Sequence, residues 1–190
     1  MKRLMLCAAA AAMMSACMSM PTGEAAMVAE AAMEQPAPAA MDFVRMAGAS
    51  DLYEIQSSQL VMQTTQNADL RRFAEMMIEH HTMTTQTVME AARAAGMSPP
   101  APMLDAPKTQ MIQQLQGAQS TARDAMYVTQ QVMAHREALT LHTSYSKNGN
   151  TPQLKTAAAG AVPIVARHYN EITAMQRGMG GGGMGGHAGH

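Results

Sequence analysis

Phe43, Ala47, Ser50, Glu54, Ser57, Val61 and Thr64 follow one another at spacings of 4, 3, 4, 3, 4 and 3 residues. That rhythm turns one stripe of an α-helix toward a neighbour, and a strand, with its period of two, cannot present it. The rhythm recurs. After this first helix over about 42–66, Leu70, Phe73, Met77, Thr84, Val88 and Ala91 share one face of a helix over about 68–95, with Arg71, Arg72, Glu75, Glu79, Gln86 and Arg93 opposite. Asp124, Val128, Gln131, His135, Leu139 and His142 form the inner stripe of a third helix ending at Asn148-Gly149. Leu154, Ala158, Ala161, Val165, His168, Ile172 and Met175 do so for a fourth, ending near Arg177. No segment reads as a strand. Four helices of about 25 residues, joined in part by short turns, predict an all-α chain built as an antiparallel four-helix bundle.

Punctuation agrees with the stripes. Asn67 can cap the second helix and Gly96 can close it before Ser-Pro-Pro. Thr121 and Asp124 stand at capping-box spacing, and Thr151-Pro152 is a favourable helix start. A short helix over about 108–116 fits between the second and third, and Pro163 should kink the fourth.

The ends differ from this middle. Residues 1–16 have a basic start (Lys2, Arg3), an apolar run too short to span a bilayer and small residues before Cys17, which is the pattern of a secretory signal. Met14-Ser15-Ala16-Cys17 resembles a bacterial lipobox, in which the Cys is lipidated and anchors the mature chain to a membrane. Met14 stands where Leu is usual, so plain signal cleavage is the alternative. An exported location follows, in the periplasm and, with the lipid on Cys17, at the outer membrane. Residues 17–40 read as a flexible tether, 41–177 as the domain, and 178–190 as a disordered Gly/Met/His tail.

Of two cysteines, Cys7 lies inside the signal, so the mature domain has no internal disulfide and must be held by its core. Removing Lys2 and Arg3 reduces 13 basic residues to 11 against 14 acidic, a net charge of −3, with no basic patch for nucleic acid. Met is abundant at 23 residues. Adaptable packing in a helical core is the simpler account of that, and soft ligation of copper the other.

The candidate chemistry lies at mid-bundle. Glu54, His80, His135 and His168 fall near the middles of their four helices and on the inward stripes, so antiparallel packing would bring one Glu and three His to a common height. His81 stands at the edge of this layer, His142 about two turns from His135, and Met77 one turn before His80. Such a set suits a single Zn, Cu or Fe ion, with Met77 favouring copper. It could equally be a metal-free polar layer whose members hydrogen-bond one another. In the tail, His187 and His190 with Met179 and Met184 could form a weak local chelator.

The same residues carry a resemblance. "FAEMMIEHH", "RDAMYVTQQVMAH" and "AVPIVARHYNEI" resemble signature segments of the bacterial family called domain of unknown function 4142 over about residues 41–177. The resemblance implies an exported, ferritin-like bundle. It places family positions at Glu54, Glu79-His80, Asp124, Tyr127, His135, Pro163 and His168, with Arg123 where an aromatic is usual. It implies no activity. Di-iron members of the ferritin-like class use Glu-x-x-His, and no Glu here has His three residues on. No nucleophile–base pair and no phosphate loop is legible either, so an enzyme has the least support. The expectation is transition-metal binding in the envelope for storage, buffering or stress protection. The alternative is a metal-free structural or interaction protein of the envelope.

Overall fold

The computed structural model describes residues 21–181, and its elements are helical throughout. Six helices follow in order: α1 Glu24–Met33, α2 Ala40–Met62, α3 Ala68–Ala94, α4 Ala106–Gly117, α5 Ser120–Asn148 and α6 Pro152–Gly181. The four long ones, α2, α3, α5 and α6, enclose the core as a ring of neighbours, α2 beside α3 and α5, and α6 beside α3 and α5. Their bounds fall within a few residues of those read from the 4-3 spacing.

Local chemistry sets the ends. The Asn67 side chain accepts from the backbone N–H of Asp69 and Leu70 at the start of α3. Gly96, at φ +77°, lets the chain reverse after α3, and the Met97 N–H closes onto the Ala92 carbonyl at 3.0 Å. Asp124 does not complete a capping box. It accepts from the Thr65 hydroxyl at 2.9 Å and ties the end of α2 to α5. Arg123 is buried where it can serve several helix ends: its guanidinium donates to the carbonyls of Leu115, Ala118 and Leu60.

Two expectations change. The stretch read as a tether, residues 17–40, contains α1, which buries Ala25, Ala29 and Ala32 against α5 and α6. Three alanines at spacings of 4 and 3 let two helices approach closely, a stripe too small to stand out in an Ala-rich segment. Asn170 clips the start of α1 by accepting from the Ala25 N–H and donating to the Thr22 carbonyl. The domain therefore begins well before residue 41. At the other end, α6 runs on through Met179 to Gly181 rather than stopping at 177, with Arg177 paired to Glu24 at 3.1 Å. The signal-like segment 1–16, Cys17, Met184, His187 and His190 lie outside the described residues. Among the described residues no helix is long and apolar enough to cross a membrane.

The core divides by level. Phe43, Tyr145 and Leu154 pack with Val44, Val88 and Ala158 toward one end. Leu70, Phe73, Met77, Leu115, Tyr127 and Ile172 pack toward the other. Between these apolar layers lies a band of buried polar side chains.

Candidate metal centre

Three imidazoles occupy that band. His81 from α3, His135 from α5 and His168 from α6 are 1 %, 0 % and 0 % exposed. Their ring centroids stand 5.5 Å (81–135), 5.4 Å (81–168) and 5.4 Å (135–168) apart, a nearly equilateral triangle. One donor nitrogen from each lies within 4.8 Å of the other two. A first-row ion sits about 2.0–2.1 Å from a His nitrogen, and adding the ring radius puts three imidazoles radiating from one ion about 5.2–5.5 Å apart at their centres.

The hydrogen bonds settle which nitrogen each ring presents. Nδ1 of His81 donates to Oδ1 of Asp51 at 2.8 Å, and Nδ1 of His135 donates to the Gln131 carbonyl at 2.9 Å. His80 Nδ1 lies 2.8 Å from His168 Nε2 and 3.3 Å from the Arg167 guanidinium. A guanidinium only donates, so His80 Nδ1 accepts, and His168 Nε2 carries the proton it offers. In each ring the protonated nitrogen is engaged, leaving a bare lone pair on His81 Nε2, His135 Nε2 and His168 Nδ1. Those three atoms are buried and have no partner. They are three of ten buried side-chain atoms without a partner among the described residues, and they are the ones that stand together on three neighbouring imidazoles.

Electrostatics keep two of the three rings neutral and ready to coordinate. Burial drives the pKa of His135 down to about 3, helped by the charge of His81. Burial also depresses His168, with the neighbouring His135, His81 and His80 acting the same way. Both are neutral at ordinary pH. His81 differs: burial lowers its pKa, but the hydrogen bond and charge of Asp51, with the charge of Glu54, outweigh that and leave it raised.

Glu54 stands beside the triangle, fully buried, with neither carboxylate oxygen partnered. Burial raises its pKa to about 7, against the opposing charge of His81. Its Oε1 is 3.7 Å from His135 Nδ1. That is too long for a hydrogen bond, and a neutral ring whose Nδ1 already donates to a carbonyl makes no ion pair with it.

The histidine pair on α3 exchanges the roles read from the sequence. His80 was expected in the layer and His81 at its edge. His81 is the buried one, and His80 is half-buried outside the triangle, edge to edge with His168 through their hydrogen bond, with centroids 5.0 Å apart and planes 6° from parallel. The reason is register: the buried face of α3 steps through Met77, His81, Thr84 and Val88 at 4, 3 and 4, and a residue one position off is turned by about 100°. His142 is buried but outside the three-His group, edge-on to Phe43 at 5.6 Å, with Nδ1 unpartnered and its pKa pulled down by burial to about 4. Met77 is fully buried in the apolar layer with Phe73 and Tyr127.

Asp51 was not singled out from the sequence. It sits beside Ser50 of the α2 stripe and one turn before Glu54, where an Asp reads as a flank residue. In fact it is 2 % exposed and accepts from both His81 and Thr85. Gln131 donates to Ser57 at 3.0 Å, which packs the α5 stripe against α2 beside the site.

No curated protein and no solved structure matches the chain. A family model does, over residues 25–175, from the second residue of α1 to near the end of α6, and its description is "Domain of unknown function (DUF4142)". That span holds every residue of the histidine cluster and its hydrogen-bond partners, and the chain belongs to this family.

Proposed function

We propose that this chain is an exported, lipid-anchored protein of the bacterial envelope, with a ferritin-like four-helix architecture that holds one transition-metal ion at His81, His135 and His168. The observation that supports the reading is the triangle of buried rings, each with one nitrogen hydrogen-bonded and the other without a partner. Three imidazoles and a nearby carboxylate are borderline donors, suited to Zn(II), Cu(II) or Fe(II). Glu54 stands outside the three-His group but close enough to balance charge, and a bound cation would favour its ionised form. Asp51, the Gln131 carbonyl and His80 orient the rings. A site buried on all sides favours slow release, which fits storage or buffering of an ion better than turnover of a substrate. The anchoring part of the proposal rests on the signal pattern and on Cys17.

A metal-free reading is favoured by a separate observation. Tyr53 donates to Gln130, Gln131 to Ser57, and Ser58 pairs with Tyr127, a ladder of buried bonds that fixes the register of α2 on α5. The two readings part in one experiment. The chain is purified without a His tag and titrated calorimetrically with Zn(II), Cu(II) and, without oxygen, Fe(II). The metal reading expects one tight ion per chain, lost in His135→Ala with helicity kept. A wild type that binds none of the three, while His135→Ala still melts lower, leaves the structural reading.

A further inference from the structure

Of the sixteen methionines among the described residues, six are exposed and nine half-buried. Met77 is the only one among the described residues that is fully buried. The most exposed large apolar side chains are Met27 (65 %), Met46 (49 %), Met83 (47 %), Met103 (75 %), Met133 (52 %) and Met179 (45 %), and no Leu, Ile, Val, Phe or Tyr joins them. Adaptable core packing accounts for the half-buried methionines, eight of which pack against the core, but not for the six exposed ones. Nor does helix propensity, because Leu and Lys match Met there, yet Leu is kept inside. A docking face is equally poor. The six lie on α1, α2, α3, the α3–α4 loop, α5 and α6, no two on one element. Met46 and Met103 line one groove, but what all six thioethers share is access to a small diffusible reagent.

We propose that this methionine surface is a sacrificial sink for two-electron oxidants such as hypochlorous acid and hydrogen peroxide. With hypochlorous acid the thioether sulfur attacks chlorine, hydroxide leaves as water after taking up a proton, and a second water adds to sulfur as chloride departs. The products are a sulfoxide, chloride and a proton; sulfur loses the two electrons that chlorine gains. With peroxide, sulfur takes one oxygen, the O–O bond breaks, and the other oxygen leaves as water. Position makes the reaction harmless to the fold. A sulfoxide is polar and would disrupt a core, but on an exposed side chain its oxygen points into water. The fully buried layers contain Leu, Ile, Val, Phe, Tyr and Ala with Met77 among them, and the half-buried methionines at their edges are less open to solvent than the six. This inference concerns side chains outside the histidine cluster and is tested on metal-free protein, so it stands or falls apart from the metal reading.

The test treats the full chain with rising equivalents of hypochlorous acid, locates added oxygen by peptide mass spectrometry and follows helicity by circular dichroism. The six exposed methionines should each gain one oxygen several-fold faster than Met77, with the helical signal kept until they are consumed. A bystander enzyme with an oxidation-sensitive methionine should keep its activity longer when the chain is present. A variant with all six changed to Leu should lose most of that protection, and the Met→Gln form serves if the Leu form aggregates. Both retain the same cysteines, so the difference reads the methionines. Oxidation of Met77 as fast as the six, loss of helicity with the first equivalents, or undiminished protection by the variants would overturn the proposal.

Discussion

Asp51→Asn separates the role of a hydrogen bond from that of a charge. Asp51 accepts from His81 Nδ1 at 2.8 Å and from the Thr85 hydroxyl at 2.9 Å. Asn is the same size. Its carbonyl can keep the bond from His81, and its amide can donate to Thr85, whose hydroxyl rotates to accept. The number of bonds is conserved and the negative charge is lost. Hydrogen bonds to charged groups stabilise by about 1.5–3 kcal/mol against about 0.5–1.5 for neutral ones, so the metal-free protein should lose roughly 1 kcal/mol. That is about 2–4 °C in melting temperature for a domain of this size. The loss should depend on pH. His81 has a raised folded pKa, so its contribution is fully present below its unfolded value near 6.5 and fades as pH rises through the folded pKa. The gap between wild type and variant should therefore be widest in mild acid and narrow toward alkaline pH. Metal affinity is the sharper readout. Loss of a carboxylate that orients a ligating imidazole typically weakens binding 10–100-fold, about 1.4–2.7 kcal/mol. Thermal melts across pH and competition titrations with a chromophoric chelator measure the two effects. An unchanged affinity in a protein that does bind metal would refute the place given to His81, whatever the melting temperature does.

Metal at a hundred times its dissociation constant should stabilise the wild type by about 2.7 kcal/mol, roughly 5–11 °C, and leave His135→Ala unmoved in differential scanning fluorimetry. His142→Leu should flatten the acid sensitivity of the metal-free protein. With its folded pKa lowered to about 4, His142 contributes stability that is present above pH 6.5 and lost at about 1.4 kcal/mol per unit as pH falls toward 4. Glu54, raised to about 7, acts in the opposite sense across part of that window, so the wild-type-minus-variant difference in urea melts is the quantity to follow. Arg123→Leu should cost about 2–3 kcal/mol in the same melts by stranding the buried carbonyls it serves, and no loss would mean that water replaces it.

The long helices were legible because each carries an inward stripe at helical spacing over several turns, and caps or glycines mark several of their ends. His135 and His168 were legible for the same reason. The choice between His80 and His81 was open to the same rule, since His81 continues the Met77–Thr84–Val88 steps, but the apolar residues around it do not mark which of two adjacent polar ones faces in. Asp51 was hidden more deeply. Its burial depends on where α3 places His81 and Thr85, a long-range pairing that no spacing within α2 encodes. Helix α1 escaped notice because alanine contributes little to a hydrophobic pattern, although three of them suffice to seat a helix against α5 and α6.

Helix α1 also fixes how far the domain can stand from whatever holds its N-terminus. An extended chain covers at most about 3.3–3.6 Å per residue. Were residues 17–40 all slack, the domain could wander to about 80 Å from a lipid on Cys17. With α1 clasped by Asn170 and Glu24 paired to Arg177, the chain length from Cys17 to Glu24 limits that standoff to at most about 25 Å. If Cys17 carries the proposed lipid, the histidine cluster and the thioether surface would work close to the bilayer, and would meet what arrives at or leaves the membrane before it mixes with the surrounding volume.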